Sequence, residues 1–218
     1  MAVLATPGTD APGADVRGAR AGAIGLGVAG VLFTVYPAVR PWSDDAVAMA
    51  SQAWLVAHLA AIAGFILVAL GLLALRFAIG GTGPARAALL TGLTGVGLTL
   101  PYYGAEVFGG HTIGVRALAD GNPALMDAVE AMRFQPAAAT MFAAGLLLVA
   151  ASGILAAVAV WRSGLRPRSG GIVFAVGFSL FLPQFYLPMP LRLAHGLLVT
   201  LGCLWLAAAL WRVPRTTS

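Results

Sequence analysis

The fold class follows from residues 52–79, QAWLVAHLAAIAGFILVALGLLALRFAI, where Arg76 is the one charged side chain in a long apolar run. An apolar stretch of about 18 residues or more can cross a bilayer as a helix. Further apolar segments of this kind lie at 19–39, 85–109, 136–161, 171–187 and 191–211. The sequence therefore predicts an all-α, polytopic membrane protein built as a six-transmembrane-helix bundle.

The composition agrees with this fold class. Hydrophobic residues make up 60% of the 218 residues and charged residues only 10%, whereas soluble domains carry about 25% charged residues. The net charge is +5 and the chain has arginine but no lysine, and the arginines lie at the ends of the predicted spans. They therefore indicate membrane topology and argue against a nucleic-acid partner. The single cysteine, Cys203, excludes a disulfide within the chain and a multi-cysteine metal site.

The predicted transmembrane domain covers residues 18–212, between an N-terminal tail at 1–17, predicted to be disordered, and a short tail at 213–218. Nine arginines fall on one side of the predicted bundle: Arg17, Arg20, Arg76, Arg86, Arg162, Arg166, Arg168, Arg212 and Arg215. Four fall on the other side: Arg40, Arg116, Arg133 and Arg192. The positive-inside rule then predicts a multi-pass protein of the cell membrane with both termini and both tails in the cytoplasm.

One long loop, residues 110–135, is expected on the outer side. Asn122 and Pro123 match a helix N-cap followed by the first helical position. The following residues place four apolar side chains on one face: Leu125, Met126, Val129 and Met132. The sequence therefore predicts a short amphipathic helix at about 123–133 on the outer surface.

Polar side chains inside the predicted spans concentrate in the outer half. His58 and His195 each lie 17 or 18 residues from the arginine that ends their helix, which is about 26 Å at 1.5 Å per residue. Glu106 is the one acidic residue in a predicted span, and Arg192 shares a helix face with His195. Ionisable side chains within spans usually belong to functional sites, so we expect a site in this layer.

The leading functional hypothesis is a membrane-embedded enzyme that uses acid–base chemistry on a lipophilic substrate, such as an isoprenoid or a lipid, without a cofactor. Glu106 would be the acid or base, with His58, His195 and Arg192 as further catalytic residues. The substrate pocket would be lined by Trp54, Tyr102, Tyr103, Phe181, Gln184, Phe185 and Tyr186. Aromatic rings stabilise cations, which would suit a terpene-cyclase-like reaction. The Asp-rich motif of membrane prenyltransferases is absent, which argues against magnesium–diphosphate chemistry.

Other hypotheses remain open at this stage. His58 and His195 could be the axial ligands of a haem b, or a divalent metal could bind His58, Glu106, His111 and His195. The chain could also be a small transporter. In a non-catalytic scaffold, Glu106 would pair with Arg192 and the histidines would bond to the backbone or interfacial water. The expected partners are membrane lipids, a lipophilic small molecule and a second copy of the chain.

Overall fold

The computed structural model describes residues 16–213, and the regular structure in this range is helical throughout. The tails predicted at 1–17 and 213–218 therefore lie almost entirely outside the described residues. In chain order the elements are α1 (Val16–Val39), α2 (Ala46–Met49), α3 (Gln52–Ala78), α4 (Gly83–Gly104), a π-helical segment (Ala105–Gly110), α5 (His111–Ala119), a 3₁₀ turn (Pro123–Leu125), α6 (Met126–Arg133), α7 (Pro136–Ser163), α8 (Ser169–Ser179), a second 3₁₀ turn (Pro183–Tyr186) and α9 (Met189–Trp211).

Four of these helices, α1, α3, α7 and α9, are long and apolar enough to cross a membrane. They support the prediction of a membrane protein, whereas the other two predicted spans differ from expectation. α4 has the length but not the apolarity, and α8 has only 11 residues. The span predicted at 171–187 ends early, at Ser179, because Pro183 has no N–H for the Ser179 carbonyl and its ring would clash with that group.

The six longest helices form a closed ring in the order α1, α3, α4, α7, α8 and α9, with α9 returning to α1. Neighbours in the ring are antiparallel. In α1, for example, Gly22 lies beside Leu210 of α9, whereas Gly30, two turns later, lies beside Cys203. The connections at 40–51, 105–135 and 180–188 therefore meet at one end, the loop-rich end. The connections at 79–82 and 164–168 meet at the other, the terminal end.

Glycines determine how closely these helices approach. A Cβ atom at Gly95 of α4 would lie 2.8 Å from the Gly145 carbonyl oxygen of α7, so no side chain fits there. A Cβ atom at Gly22 would lie 2.1 Å from the Cβ of Ala74. Small residues at helix contacts are how membrane helices pack, because lipid provides no hydrophobic drive for their association.

Aromatic side chains fill the ring towards the loop-rich end. Phe33 makes edge-to-face contacts with Phe65, Phe178 and Phe181, with ring centroids 5.0, 5.6 and 5.3 Å away. Large aliphatic side chains face outwards instead, among them Ile24, Val31, Leu70, Leu90, Leu147, Ile154 and Leu201. An apolar exterior around a closely packed interior is the arrangement that a lipid environment requires.

A cap covers the loop-rich end and consists of α2, α5, the first 3₁₀ turn and α6. It has a small core of its own, formed by Met49, Trp54 and Val129 with Ile113, Met126 and Met132 packed against them. The amphipathic helix predicted at 123–133 is present, and its apolar face packs into this core. The sequence missed α2 and α5. The helix predicted to end at residue 109 instead continues through the π-helical segment to Ala119.

Candidate functional site

Glu106 lies in the π-helical segment between α4 and α5. Single π-helical turns inside longer helices occur frequently at functional sites. The indole Nε1 of Trp54 in α3 donates a hydrogen bond of 2.9 Å to the backbone carbonyl of Glu106. Trp54 is fully buried, so this bond fixes the irregular turn against the start of α3.

Arg133, the last residue of α6, binds the Glu106 side chain at two points. Its Nε donates to Oε1 at 2.6 Å and its Nη2 donates to Oε2 at 2.8 Å. The side chains of Glu106 and Arg133 are only 7% and 18% exposed. A bidentate, charge-assisted pair of this kind stabilises Glu106 as a carboxylate and joins the cap to the ring.

Asp44 and Arg40 extend this pair into a row of four alternating charges, which we call the ionic cluster: Arg40, Asp44, Arg133 and Glu106. Arg133 Nη1 donates to Asp44 Oδ2 at 2.9 Å, and Arg40 pairs with the other Asp44 oxygen. The Arg40 guanidinium also lies 4.8 Å from the centre of a Trp54 ring. The formal charges of the ionic cluster sum to zero, so its burial leaves no net charge to compensate.

The pKa values of Asp44 and Arg133, which lie outside the membrane-spanning helices, reflect this pairing. Burial by itself raises the pKa of the Asp44 carboxyl, but Arg40 and Arg133 outweigh that effect and hold the pKa below its usual value. Burial lowers the pKa of the Arg133 guanidinium, whereas Glu106 and Asp44 raise it above its usual value overall. Both groups are therefore charged at neutral pH.

A cavity of about 100 Å³ opens beside the Glu106–Arg133 pair. Its walls come from α4 and the π-helical segment, from α6 and from the first turns of α7. The lining residues are Pro101, Tyr102, Ala105, Glu106, Met132, Arg133, Ala138 and Met141. The Tyr102 ring stacks on Phe142, with centroids 4.1 Å apart. The cavity thus combines mainly apolar walls with one ion pair.

His58 lies in an aromatic cluster beside Trp54 and makes no contact with Glu106 in the described part of the chain. Its Nδ1 donates to the Trp54 carbonyl at 2.8 Å, and its ring centroid lies 4.3 Å from that of Trp54. Tyr36 and Tyr103 pack around the same imidazole, with centroids 5.4 and 6.1 Å away. Trp54, which bonds to both the His58 ring and the Glu106 carbonyl, lies between the two residues.

Three further predicted site residues form a second group, which we call the Arg192 group: Arg192, Gln184 and His195. Arg192 Nε donates to Gln184 Oε1 at 3.3 Å, and His195 Nε2 donates to the Gly177 carbonyl at 2.8 Å. Phe181 and Phe185 pack on His195 and Arg192 respectively. The Glu106–Arg192 pair of the scaffold hypothesis is not formed, because Arg133 approaches from the cap and bonds both carboxylate oxygens.

The three histidines all bond to backbone carbonyls, as the scaffold hypothesis predicts. His111 Nδ1, for example, donates to the Met49 carbonyl at 2.8 Å. Within residues 16–213, no three side chains of His, Cys, Asp or Glu come together in a way that could hold a metal ion. Each imidazole keeps one ring nitrogen uncommitted to these bonds, so haem or metal ligation by His58 and His195 stays a prediction.

Sequence reasoning missed Arg133, Asp44 and Arg40 as site residues. A signal was present, because Arg40 and Arg133 are basic residues on the side where the positive-inside rule expects few. Their presence there is explained by pairing with Asp44 and Glu106. Tyr186, by contrast, is 87% exposed and does not line the cavity beside Glu106. Comparisons of the chain with protein-family models, curated proteins and solved structures give no match.

Proposed function

We propose that this chain is a membrane-embedded enzyme that binds a lipophilic small molecule with a polar end and acts on it through Glu106. The observation that carries this proposal is the cavity of about 100 Å³ with apolar walls and the Glu106–Arg133 pair at one side. Ligand sites are usually concave and apolar, with a few polar groups that orient the ligand. The apolar part of the ligand would contact Met132, Ala138 and Met141.

The pairing of Glu106 with Arg133 favours a role as a base over a role as an acid. A terpene-cyclase-like reaction that starts by protonating its substrate needs a neutral acid, whereas Arg133 stabilises Glu106 as a carboxylate. Glu106 is therefore better suited to act as a base that takes a proton from a carbon or hydroxyl of the ligand. Arg133 would stabilise the resulting anion, and return of the proton at a second position would complete an isomerisation.

We also propose that α4 and α8 cross the membrane with the four more apolar helices, giving six spans with both termini in the cytoplasm. Their places in the closed ring support this topology, because each lies between two neighbours in the same layer. The distribution of arginines supports the orientation, with the loop-rich end outside the cell membrane. The cavity would then open at the level of the outer leaflet, where a lipophilic ligand can reach it.

The test is a substitution that fills the cavity with a larger side chain and leaves Glu106 and Arg133 unchanged. Ala138 lines the cavity, whereas its neighbour Ala137 is exposed, so Ala138→Phe and Ala137→Phe form a matched pair. Both variants and the wild type are purified in detergent, incubated with radiolabelled farnesol and assayed for retained label. Organic extracts of the same samples are compared by mass spectrometry. We expect Ala138→Phe to lose farnesol and any co-purified lipophile, and Ala137→Phe to keep both.

Equal retention by the two variants would contradict a ligand site in this cavity. Glu106→Gln then tests the chemistry separately from binding. It keeps the shape of the side chain and removes the base, so we expect a co-purified ligand to remain bound while its conversion stops. Thermal unfolding of each variant shows whether it is folded. A Glu106→Gln protein that binds and converts the ligand as the wild type does would exclude Glu106 as the base.

A structural role is the second candidate, and one observation favours it. All three histidines donate to backbone carbonyls, and every side chain of the ionic cluster has at least one partner of opposite charge, so each of these side chains is bonded within the chain without any ligand. In that case the ionic cluster would only fasten the cap to the ring. Farnesol and other lipophiles would then bind the wild type and the Ala138→Phe variant equally.

A further inference from the structure

The Arg192 group differs from the ionic cluster in its charge balance. The four members of the ionic cluster neutralise each other, whereas no carboxylate of residues 16–213 pairs with Arg192. Arg192 uses its Nε to bond Gln184 and stacks over the Phe185 ring at 5.6 Å. These contacts orient the guanidinium but leave its positive charge and both terminal amino groups available.

Gln184 adds a second unused donor at the same place. It is only 3% exposed, and its Oε1 must be the atom facing Arg192, because a guanidinium N–H can only donate. The amide nitrogen of Gln184 therefore faces away from Arg192, and the described residues offer it no acceptor. The nitrogen is not among the fully enclosed side-chain atoms that lack a partner, and Gln184 lines a small cavity, so the nitrogen is free to donate to a ligand there.

The shape of the space limits the size of that acceptor. A cavity of about 10 Å³ is lined by Arg192, Gln184, His195 and Tyr36 together with Phe181 and apolar residues of α1 and α9. This volume admits about one water-sized atom. A single oxygen of a ligand fits inside, and the rest of the ligand must remain at the mouth of the cavity.

The surroundings of the mouth indicate where the ligand comes from. Tyr186, Leu187 and Leu191, which lie close to Arg192 in the chain, are 87%, 41% and 50% exposed. An aromatic and aliphatic surface around an arginine is typical of the membrane–water interface. The nearest abundant oxyanions at such a surface are lipid phosphates, which arginine binds through charge-assisted hydrogen bonds.

We propose that Arg192 and Gln184 form a binding site for a phosphate-type oxyanion, carried by a phospholipid headgroup, with one phosphate oxygen seated in the small cavity. The Arg192 guanidinium supplies the charge and the Gln184 amide nitrogen supplies the second donor. The site is separate from the Glu106 cavity and does not depend on the function proposed there.

The experiment uses the full chain in dodecyl maltoside, a detergent without phosphate. Dioleoylphosphatidylglycerol is titrated in, and bound lipid is counted by native mass spectrometry. Dioleoylglycerol, which lacks the phosphate, is the lipid control. Arg192→Gln and Gln184→Leu remove the two proposed donors. Arg116→Gln removes one positive charge from an exposed arginine at the same end of the molecule and is the protein control.

We expect Arg192→Gln to weaken phosphatidylglycerol binding about tenfold, the effect of losing one charged hydrogen bond. Gln184→Leu should weaken binding less, and Arg116→Gln and dioleoylglycerol should show no specific effect. Competition by millimolar inorganic phosphate would identify free phosphate as the ligand in place of the lipid. The proposal would be overturned if both Arg192→Gln and Gln184→Leu bound phosphatidylglycerol as tightly as the wild type does. It would also be overturned if Arg116→Gln lost as much lipid affinity as Arg192→Gln. If Arg192→Gln fails to fold, Gln184→Leu alone decides.

Discussion

The contact between α4 and α7 in the body of the ring and the ionic cluster at the loop-rich end are stabilised in opposite ways. Between α4 and α7, Gly95 and Gly145 bring two backbones together, and Ser152 Oγ donates to the Ala88 carbonyl at 2.7 Å. At the loop-rich end, the four charged side chains of the ionic cluster pair with one another, and two of them, Arg40 and Arg133, lie over the Trp54 ring. The first contact depends on the absence of side chains, and the second depends on long, polar side chains that satisfy one another.

This difference explains where a functional site can form. A helix contact packed through glycines leaves no space for a ligand and no polar group for chemistry. The cap, by contrast, supplies Arg133 from outside the ring and allows Glu106 to be buried as a carboxylate. Both cavities described above lie at this end. The closely packed body of the ring thus keeps the helices in place, and the polar groups are arranged at its loop-rich end.

The largest expected effect comes from breaking the ionic cluster. Arg133→Gln leaves the Glu106 carboxylate buried without its partner, which should cost about 3–5 kcal/mol of unfolding free energy. The double variant Arg133→Gln/Glu106→Gln removes both charges and should recover most of that loss. Chemical denaturation in detergent micelles measures both values.

The matched control for this prediction is the Arg116–Asp120 pair of α5, whose N–O distance is also 2.6 Å but whose side chains are 70% and 38% exposed. Arg116→Gln should change stability by no more than about 1 kcal/mol, because water screens an exposed pair. Equal effects of the Arg116 and Arg133 substitutions would show that burial does not distinguish the two pairs.

An intermediate effect is expected from the glycine contact. Gly95→Ala places a methyl group 2.8 Å from the Gly145 oxygen and should cost about 1–3 kcal/mol through overpacking. Gly97, two residues along the same helix, has no atom of another element near its Cβ position. Gly97→Ala should therefore stabilise the protein by about 0.5–1 kcal/mol, the usual gain for Gly to Ala in a helix. The same denaturation assay compares the two, and equal values would contradict a glycine-limited contact.

The smallest expected effect concerns pH. The pKa of Asp44 is lowered in the folded protein, so its stabilisation is complete above the unfolded pKa of about 3.9 and is lost as the pH falls through the lower folded value. Because the Asp44 side chain is 45% exposed, the contribution should be only about 0.5 kcal/mol. Thermal unfolding at pH 6 and pH 3 should show a smaller difference for Asp44→Asn than for the wild type. The exposed Asp127→Asn variant, which should behave as the wild type, is the control.

Local apolarity predicts the long helices of this protein well. The segment predicted at 52–79 is α3, Gln52–Ala78, and the segment predicted at 191–211 is α9, Met189–Trp211. Both agree because length and hydrophobicity are properties of the segment itself. The predicted helix ends were wrong at the end of α8 and in the π-helical segment, where the backbone hydrogen bonding changes. Apolar residues continue through both places, so hydrophobicity alone gives no sign of the change.

The candidate site shows the same difference between what is local to a segment and what depends on contacts between segments. The sequence identified Glu106, His58, His195 and Arg192 as rare polar groups in the outer half, because their cost in a membrane is a local property. In the scaffold hypothesis it paired Glu106 with Arg192, the arginine of a predicted span that lies at the same outer level. It could mark Arg133 only as a basic residue on the arginine-poor side and could not give its partner. Arg133 reaches Glu106 through the cap, and the fold of the cap depends on Met49, Trp54 and Val129 coming together.

The sequence by itself determined that this is an apolar, all-helical membrane protein with its polar groups concentrated towards one end, because hydrophobicity and residue type act within each segment. Only the tertiary structure decided the closed order of the helices, the pairing of Glu106 with Arg133 and the division of the predicted site into two groups. These depend on contacts between residues far apart in the chain, such as Gly95 with Gly145 and Glu106 with Arg133. Such contacts form only where backbones approach closely enough and buried charges find partners.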